Sequence, residues 1–330
     1  MAVLPLLPCF LRRGELQKKR IQTLLLLVGK AVLRTVLLIL VSTWLTAAIL
    51  SILPQRNREL DMTQQGPTVE QRSESTMSRY GEWLIGLAQF DLGDSDYYFG
   101  DKVSKYVFGN LILTFSLSFF SVLASAFLGV LLGVHTAIRS NWRIQPPPDP
   151  KRETAFNIFR YTLYVINSIP TYILGILLLL VAFGAPMIVL VLVSMILGSG
   201  IMMDFAQMSS RLMEKEFEQP YVMNALGLGL KAGGKLPKPG TVSWHAFRAA
   251  LASLLPLIGS KIPFILGNVL VVEMVFELPG LSEPLLGGLI NQDLPLVLSV
   301  LVLAVLVVEV IAALTEVVDF IVNPGKQFLI

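Results

Sequence analysis

The sequence predicts an all-α membrane protein with six transmembrane helices, and three observations carry that prediction. Hydrophobic residues fill 54% of the 330 positions and charged residues only 15%, against roughly 25% charged in an ordinary soluble domain. Mean hydropathy is +0.68, which leaves too little polar surface to coat two soluble globules. The apolar residues are also gathered into long blocks, and a hydrocarbon core about 30 Å thick needs about 20 of them in a helix rising about 1.5 Å per residue.

Residues 1–30 read as a basic N-terminal extension. Its opening, MAVLPLLPCFLRRGELQKKR, puts the basic cluster after the apolar run, which reverses the order of a signal peptide. An uncleaved segment is expected, either an amphipathic helix on the inner surface or a disordered basic tail. Residues 31–54 hold the first span, with its apolar block from Ala31 to Leu53. Residues 55–107 form an extracytoplasmic loop, polar from Gln55 to Ser78.

Residues 108–322 form the core, with five further spans at Phe108–Ile138, Phe156–Phe183, Pro186–Ala206, Ala249–Phe276 and Pro295–Val322. Gly198 and Gly200 weaken the fourth of the six, and Asp204 lies near its end. PPPDP at Pro146–Pro150 reads as a stiff extended connector. A cytoplasmic segment, 207–248, links the fourth and fifth spans, and 323–330 form a cytoplasmic tail.

Orientation follows from the basic residues. With the N-terminus inside, 19 of the 26 Lys and Arg fall in inside segments, and the outside ones cluster between Gln55 and Val107. The positive-inside bias therefore predicts both termini to be cytoplasmic.

Several chemistries are excluded. A net charge of +3 gives no reason to expect a nucleic-acid partner. One cysteine, Cys9, and two histidines, His135 and His245, cannot supply a Cys/His metal site. Gly229, Gly234 and Lys235 fit G-x-x-x-x-G-K, but Leu236 stands where a phosphate loop needs Ser or Thr, and Pro237 obstructs the helix that should follow. No nucleophile and base stand at a productive spacing, so the chain reads as a non-enzyme.

Ionisable residues inside spans are costly and call for a partner or a function. They are Asp204, Lys261, Glu273, Glu309 and Glu316. Lys261 is expected to pair with Asp204 or Glu309 and fix helix packing, with a proton relay as the other reading.

From Arg79 onward the sequence resembles the first membrane permease subunit of ABC importers for dipeptides, oligopeptides and nickel. Phe90-Asp91-Leu92-Gly93-Asp94-Ser95 is similar to the family's G-D-L-G-x-S segment outside the membrane. Gly129-Val130-Leu131-Leu132-Gly133-Val134 resembles its small-residue-rich second core helix, and Ser168-Ile169-Pro170 with Leu174-Gly175 its S-I-P-x-x-x-L-G. The most specific block is Glu273, Val275 and Phe276 with Pro279-Gly280-Leu281, followed by Asp293-Leu294-Pro295. Pro279 and Gly280 are expected to end the fifth span and turn the chain, with Glu273 either stabilising that turn or meeting substrate.

The resemblance implies a type I ABC permease fold and a membrane-spanning subunit that forms half of a translocation path for peptides or a similar small polar solute. It also implies a bacterial inner-membrane location, alternating access, a second homologous permease, two ABC ATPases that bind ATP and magnesium, an extracytoplasmic solute-binding protein and surrounding lipid, with no cofactor in this chain. Gly129, Gly133, Ala124 and Ala126 would permit the close helix approach such an assembly needs.

The ATPase-coupling loop is expected at Glu218–Leu230. Tyr221, Val222, Ala225 and Gly229 match the family, while Met223 and Asn224 replace the acid and the first Ala of E-A-A-x-x-x-G. The connection from Gly229 to Leu255-Pro256 is longer than the family pattern, and Gly184-Ala185 is shorter. Those departures keep two other readings open: a non-transporting scaffold with a degenerate permease fold, and a stand-alone secondary transporter with a complete path of its own.

Overall fold

A computed structural model describes residues 7–52, 76–141, 144, 149–182, 184–234 and 236–322. Among them run eleven helices: α1 (Leu7–Ile52), α2 (Thr76–Ala88), α3 (Val103–Ser140), α4 (Pro150–Asn167), α5 (Thr171–Val181), α6 (Met187–Gly198), α7 (Ile201–Phe217), α8 (Pro220–Gly227), α9 (Val242–Val275), α10 (Ser282–Asn291) and α11 (Leu294–Val322). The exception to the all-α expectation is a small antiparallel ribbon, β1 (Asp94–Ser95) against β2 (Asp101–Lys102).

Among the described residues, four uninterrupted segments are long and apolar enough to cross a membrane: Leu25–Ile52, Val103–Ser140, Leu257–Val275 and Leu294–Ile321. Two helix pairs qualify only together, α4 with α5, bent by 109°, and α6 with α7, bent by 43°. Counting each pair as one span gives the six that the sequence predicts.

The 109° bend corrects the straight third span expected at 156–183. Pro170 has no N–H to continue the helix and its ring pushes Ile169 out of the α region, so α4 ends at Asn167. With 11 residues, α5 rises only about 16 Å, half the hydrocarbon thickness. Pro150 is also corrected, because it opens α4 at a position where its missing N–H costs nothing, and Asp149 caps the same turn by accepting from the Lys151 N–H at 3.3 Å. Residues 145–148 lie outside the described residues.

The break between α6 and α7 falls at Gly200, whose φ of 75° suits a residue without Cβ. Asp204 therefore lies in the first turn of a new helix, where its negative charge meets the positive end of the helix dipole.

The N-terminal extension is helical from Leu7 and continuous with the first span, which corrects the disordered-tail alternative. Pro8 lies in the first turn, and the run that follows is rich in Leu, Lys, Arg and Gln, all good helix formers. Most of the expected polar loop, 53–75, lies outside the described residues. Its remainder contains α2, whose apolar positions Tyr80, Trp83, Leu84 and Leu87 follow helical spacing.

The chain divides into two compact units. One comprises 1–31, 117–272 and 310–330, the other 32–116 and 273–309. In the first, Val134, Ala137 and Ile138 of α3 form a core with Met213 and Phe217 of α7, Val222 of α8 and Val242, Ala246 and Ala250 of α9. α3 and α7 also touch closely: a Cβ at Gly129 would collide with Met202 O and lie 2.7 Å from Phe205 Cβ, and one at Gly133 would meet Ala206 O and Ser209 Oγ. Of the four small residues expected to permit close helix approach, Gly129 and Gly133 thus serve an approach within this chain. In the second unit, Ala47 and Leu50 of α1 pack with Tyr80 and Trp83 of α2 and Leu294, Leu298 and Val302 of α11.

Candidate functional site

The expected coupling loop is a helix. Pro220 starts α8, and Gly229, at φ 83°, ends the chain's helical course. The Leu230 N–H donates to Ala225 O at 3.1 Å and the Gly229 N–H to Leu226 O at 3.0 Å, the paired bonds of a Schellman stop. Gly229 therefore has a folding task of its own, and the phosphate-loop reading of the surrounding glycines loses its last support.

Helix α8 is anchored on one side. Val222 is 1% exposed and sits in the core with Met213, Phe217, Val242 and Ala246. Tyr221, Met223, Asn224 and Gly229 face outward, with Ala225 half-buried. The Tyr221 hydroxyl donates to Glu216 Oε2 at 2.8 Å and ties α8 back to α7. Desolvation first, then that bond, pushes the phenol above its ordinary pKa.

The long connection after Gly229 resolves into a loop and extra helix. Val242 N–H donates to Lys231 O and Ser243 N–H to Ala232 O, both at 3.1 Å, so the loop closes at its base. Lys235 lies outside the described residues. α9 then begins at Val242, well before the apolar span Leu257–Val275, and its buried Val242, Ala246, Ala250 and Leu254 keep helical spacing.

The motif at the end of α9 closes around Glu273, which is 0% exposed. Its Oε1 accepts from Thr114 Oγ1 at 2.6 Å and its Oε2 from the Ser282 N–H at 3.2 Å, while Thr114 Oγ1 accepts from the Leu281 N–H at 2.9 Å. A Cβ on Gly280 would strike the Glu273 carboxylate. Gly280 is glycine for space, because its φ is not positive, and the chain reverses earlier, at Glu277, whose φ is 51°. That corrects the expectation that Pro279 and Gly280 end the helix. Val275 is the last residue of α9, Phe276 and Leu281 are buried, and Pro279 is exposed. Ser282 of the turn and Thr114 of α3 together hold the two Glu273 oxygens, so the carboxylate ties the turn after α9 to α3.

Asp293 performs a similar task next to it. Oδ2 accepts from Ser95 Oγ at 2.5 Å and from the Tyr97 N–H at 3.0 Å, and Oδ1 accepts from the Leu296 N–H at 3.3 Å, capping α11. Nearby, the Gly93 N–H first and Lys102 second hold the Asp91 carboxyl below its ordinary pKa. Two blocks quoted from distant parts of the sequence are thus one structure. Thr114 was missed because a lone Thr in an apolar helix carries no pattern, whereas Asp293 before an apolar run carries the signal of a helix cap.

Of the charges in the spans, Lys261 pairs with Asp204, as expected. Glu309 does not pair with Lys261, which corrects that alternative: its Oε2 accepts from Arg34 Nε at 2.7 Å, with Glu309 8% and Arg34 42% exposed. Arg34 was counted only as a basic flank of the first span, but α1 and α11 bring it beside Glu309. Glu316 is half-buried on α11.

Comparison with known proteins agrees with this geometry. Residues 151–327 match the family described as binding-protein-dependent transport system inner membrane component. A Brucella suis permease protein, assigned by name to a peptide transport system, is 26% identical over 273 residues, covering 77% of this chain and 81% of its own. The metal-staphylopine import system permease protein CntB of Staphylococcus aureus is 25% identical over 260 residues, 74% of this chain and 76% of its own. The oligopeptide transport system permease protein AppB of Bacillus subtilis is 23% identical over 270 residues, 76% and 80%. With its apolar spans, its short helix α8 between α7 and α9, and a family match over more than half its length, this chain belongs to the inner-membrane components of binding-protein-dependent transport systems, multi-pass permease subunits of ABC importers with the type I fold, which transport rather than catalyse.

Proposed function

We propose that this chain forms half of a translocation path for peptides or a similarly small polar solute, and that α8 is the element through which ATP-driven closure of partner subunits moves it. The observation that carries the reading is the two-sidedness of α8. Val222 locks it to α7 and α9, while Tyr221, Met223 and Asn224 remain outward for a partner surface. A push on the outward face is transmitted to two long helices because packed cores move as bodies rather than deform.

In this reading a second homologous permease supplies the other half of the path, two ABC ATPases hold ATP and magnesium on the cytoplasmic side, and a solute-binding protein delivers cargo outside. The peptide class rests on the names of the Brucella and Bacillus relatives. Alternating access then needs only two states that differ in which side the path opens to.

The test is co-purification of the tagged full chain in mild detergent, with mass spectrometry of stoichiometric partners, followed by disulfide trapping from Asn224→Cys to the recovered ATPase. An ATPase cross-linked at residue 224 and a second permease are expected. Recovery without any ATPase would sink the coupling role and favour a scaffold that keeps the permease fold.

A further inference from the structure

We propose that the open cavity lined by α3, α4 and α7 binds the phosphate of an anionic phospholipid headgroup. The cavity, about 150 Å³, is lined by Thr136 of α3, Arg160 and Tyr164 of α4, and Gln207, Ser210 and Arg211 of α7, among others. Two arginines therefore line one small space. Neither is in an ion pair among the described residues, and Arg160 Nε is buried without a hydrogen-bond partner. An unpaired buried guanidinium donor is costly, and its planar fork is matched by a tetrahedral oxyanion.

Among the described residues no Asp or Glu lines the cavity, and the lining Ser210 donates its Oγ to Glu214 Oε1 at 3.1 Å. One negative charge against Arg160 and Arg211 leaves the cavity positive. Tyr164 and Gln207 add neutral donors that could complete the coordination of a phosphate.

A lipid fits better than free phosphate because of what surrounds Arg160 on α4. Ile158, Phe159, Tyr161 and Val165 are 61%, 54%, 62% and 66% exposed, an apolar helix surface suited to acyl chains. The Arg160 guanidinium lies 5.7 Å from the Tyr161 ring centroid, so the charge sits at the border of that apolar surface. Lys151 and Arg152 open the same helix, and a basic amphipathic helix is drawn to anionic lipid. The 109° bend after α4 also gives the helix a course of its own, distinct from that of α5. Nothing in this inference depends on the cargo or the coupling role.

The experiment is native mass spectrometry of the full chain from nanodiscs containing phosphatidylcholine with or without phosphatidylglycerol. The unmodified chain should retain phosphatidylglycerol in preference to phosphatidylcholine. Arg160→Gln and Arg211→Gln should each lower that retention by about tenfold, the loss of one charge-assisted contact. Arg211 is exposed, so its variant folds independently of the outcome. Arg160→Lys should recover only part of the binding, because an ammonium lacks the fork. Equal retention by all variants would overturn the site. Displacement of the lipid by millimolar inorganic phosphate, with phosphate bound in its place, would overturn the lipid assignment in favour of a free-phosphate site.

Discussion

The carboxylate of Glu273 occupies the space that a side chain on Gly280 would need. Their neighbours Thr114, Leu281 and Ser282 supply three hydrogen bonds that hold both oxygens and the turn backbone. Gly280→Ala should therefore force Glu273 off its donors. A displaced buried carboxylate costs about 2 to 4 kcal/mol, to be read as loss of thermal stability of the purified protein. A melting temperature unchanged from the parent would refute this.

Replacing Glu273 with Gln keeps the shape but offers an NH2 where the Thr114 hydroxyl or the Ser282 N–H donates. One mismatched buried bond is worth about 1 to 3 kcal/mol. If Glu273 acts only on the turn, transport by the reconstituted importer should follow stability alone. A loss of transport at full stability would assign it to the path instead.

Asp293→Asn should loosen the Ser95 to Tyr98 segment and weaken the start of α11 together, since the two Asp293 oxygens serve those two elements. Loss of the cap and of one charged bond amounts to about 1 to 3 kcal/mol. Hydrogen exchange at the Tyr97 and Leu296 amides should rise in parallel, and a rise at only one of them would contradict the shared anchor.

Arg34→Gln should leave Glu309, 8% exposed, without its guanidinium. The cost lies between that of a surface pair and a buried one, about 1 to 3 kcal/mol, because Arg34 itself is 42% exposed. Lys261→Met should cost less, about 1 kcal/mol or below, since Asp204 is 48% exposed and can be hydrated. Paired thermal melts would test this order, and the reverse ranking would count against it.

Acid should act on the segment around Asp91. Its folded pKa lies below the ordinary 3.8, so its contribution is complete above that value and is lost as pH falls through the lower, folded one. Exchange of the Gly93 amide should accelerate in that window, and Asp91→Asn should abolish the pH dependence. An identical profile in the variant would show that another group is responsible.

On α8, Met223→Glu at an exposed position should change stability by less than about 0.5 kcal/mol, whereas Val222→Asp should collapse the core it shares with Phe217 and Ala246. Melting curves of the two variants should separate widely.

Sequence alone determined what long-range order in hydropathy can determine. The six apolar blocks, the flanking charges and the presence of a turn after the fifth span are local properties, because membrane insertion and helix termination depend on residues within one span or one turn. α2 falls where the sequence reads as an extracytoplasmic loop, although Tyr80, Trp83, Leu84 and Leu87 keep helical spacing there. Tertiary structure decided the partners. That Arg34 rather than Lys261 meets Glu309, that Thr114 closes the Glu273 turn, that Ser95 reaches Asp293 198 positions away, and that Gly129 and Gly133 admit α7 all depend on which helix faces lie together. Hydropathy is nearly uniform around an apolar span, so it fixes where a helix crosses but not how it is rotated, and rotation selects the neighbour of each polar side chain.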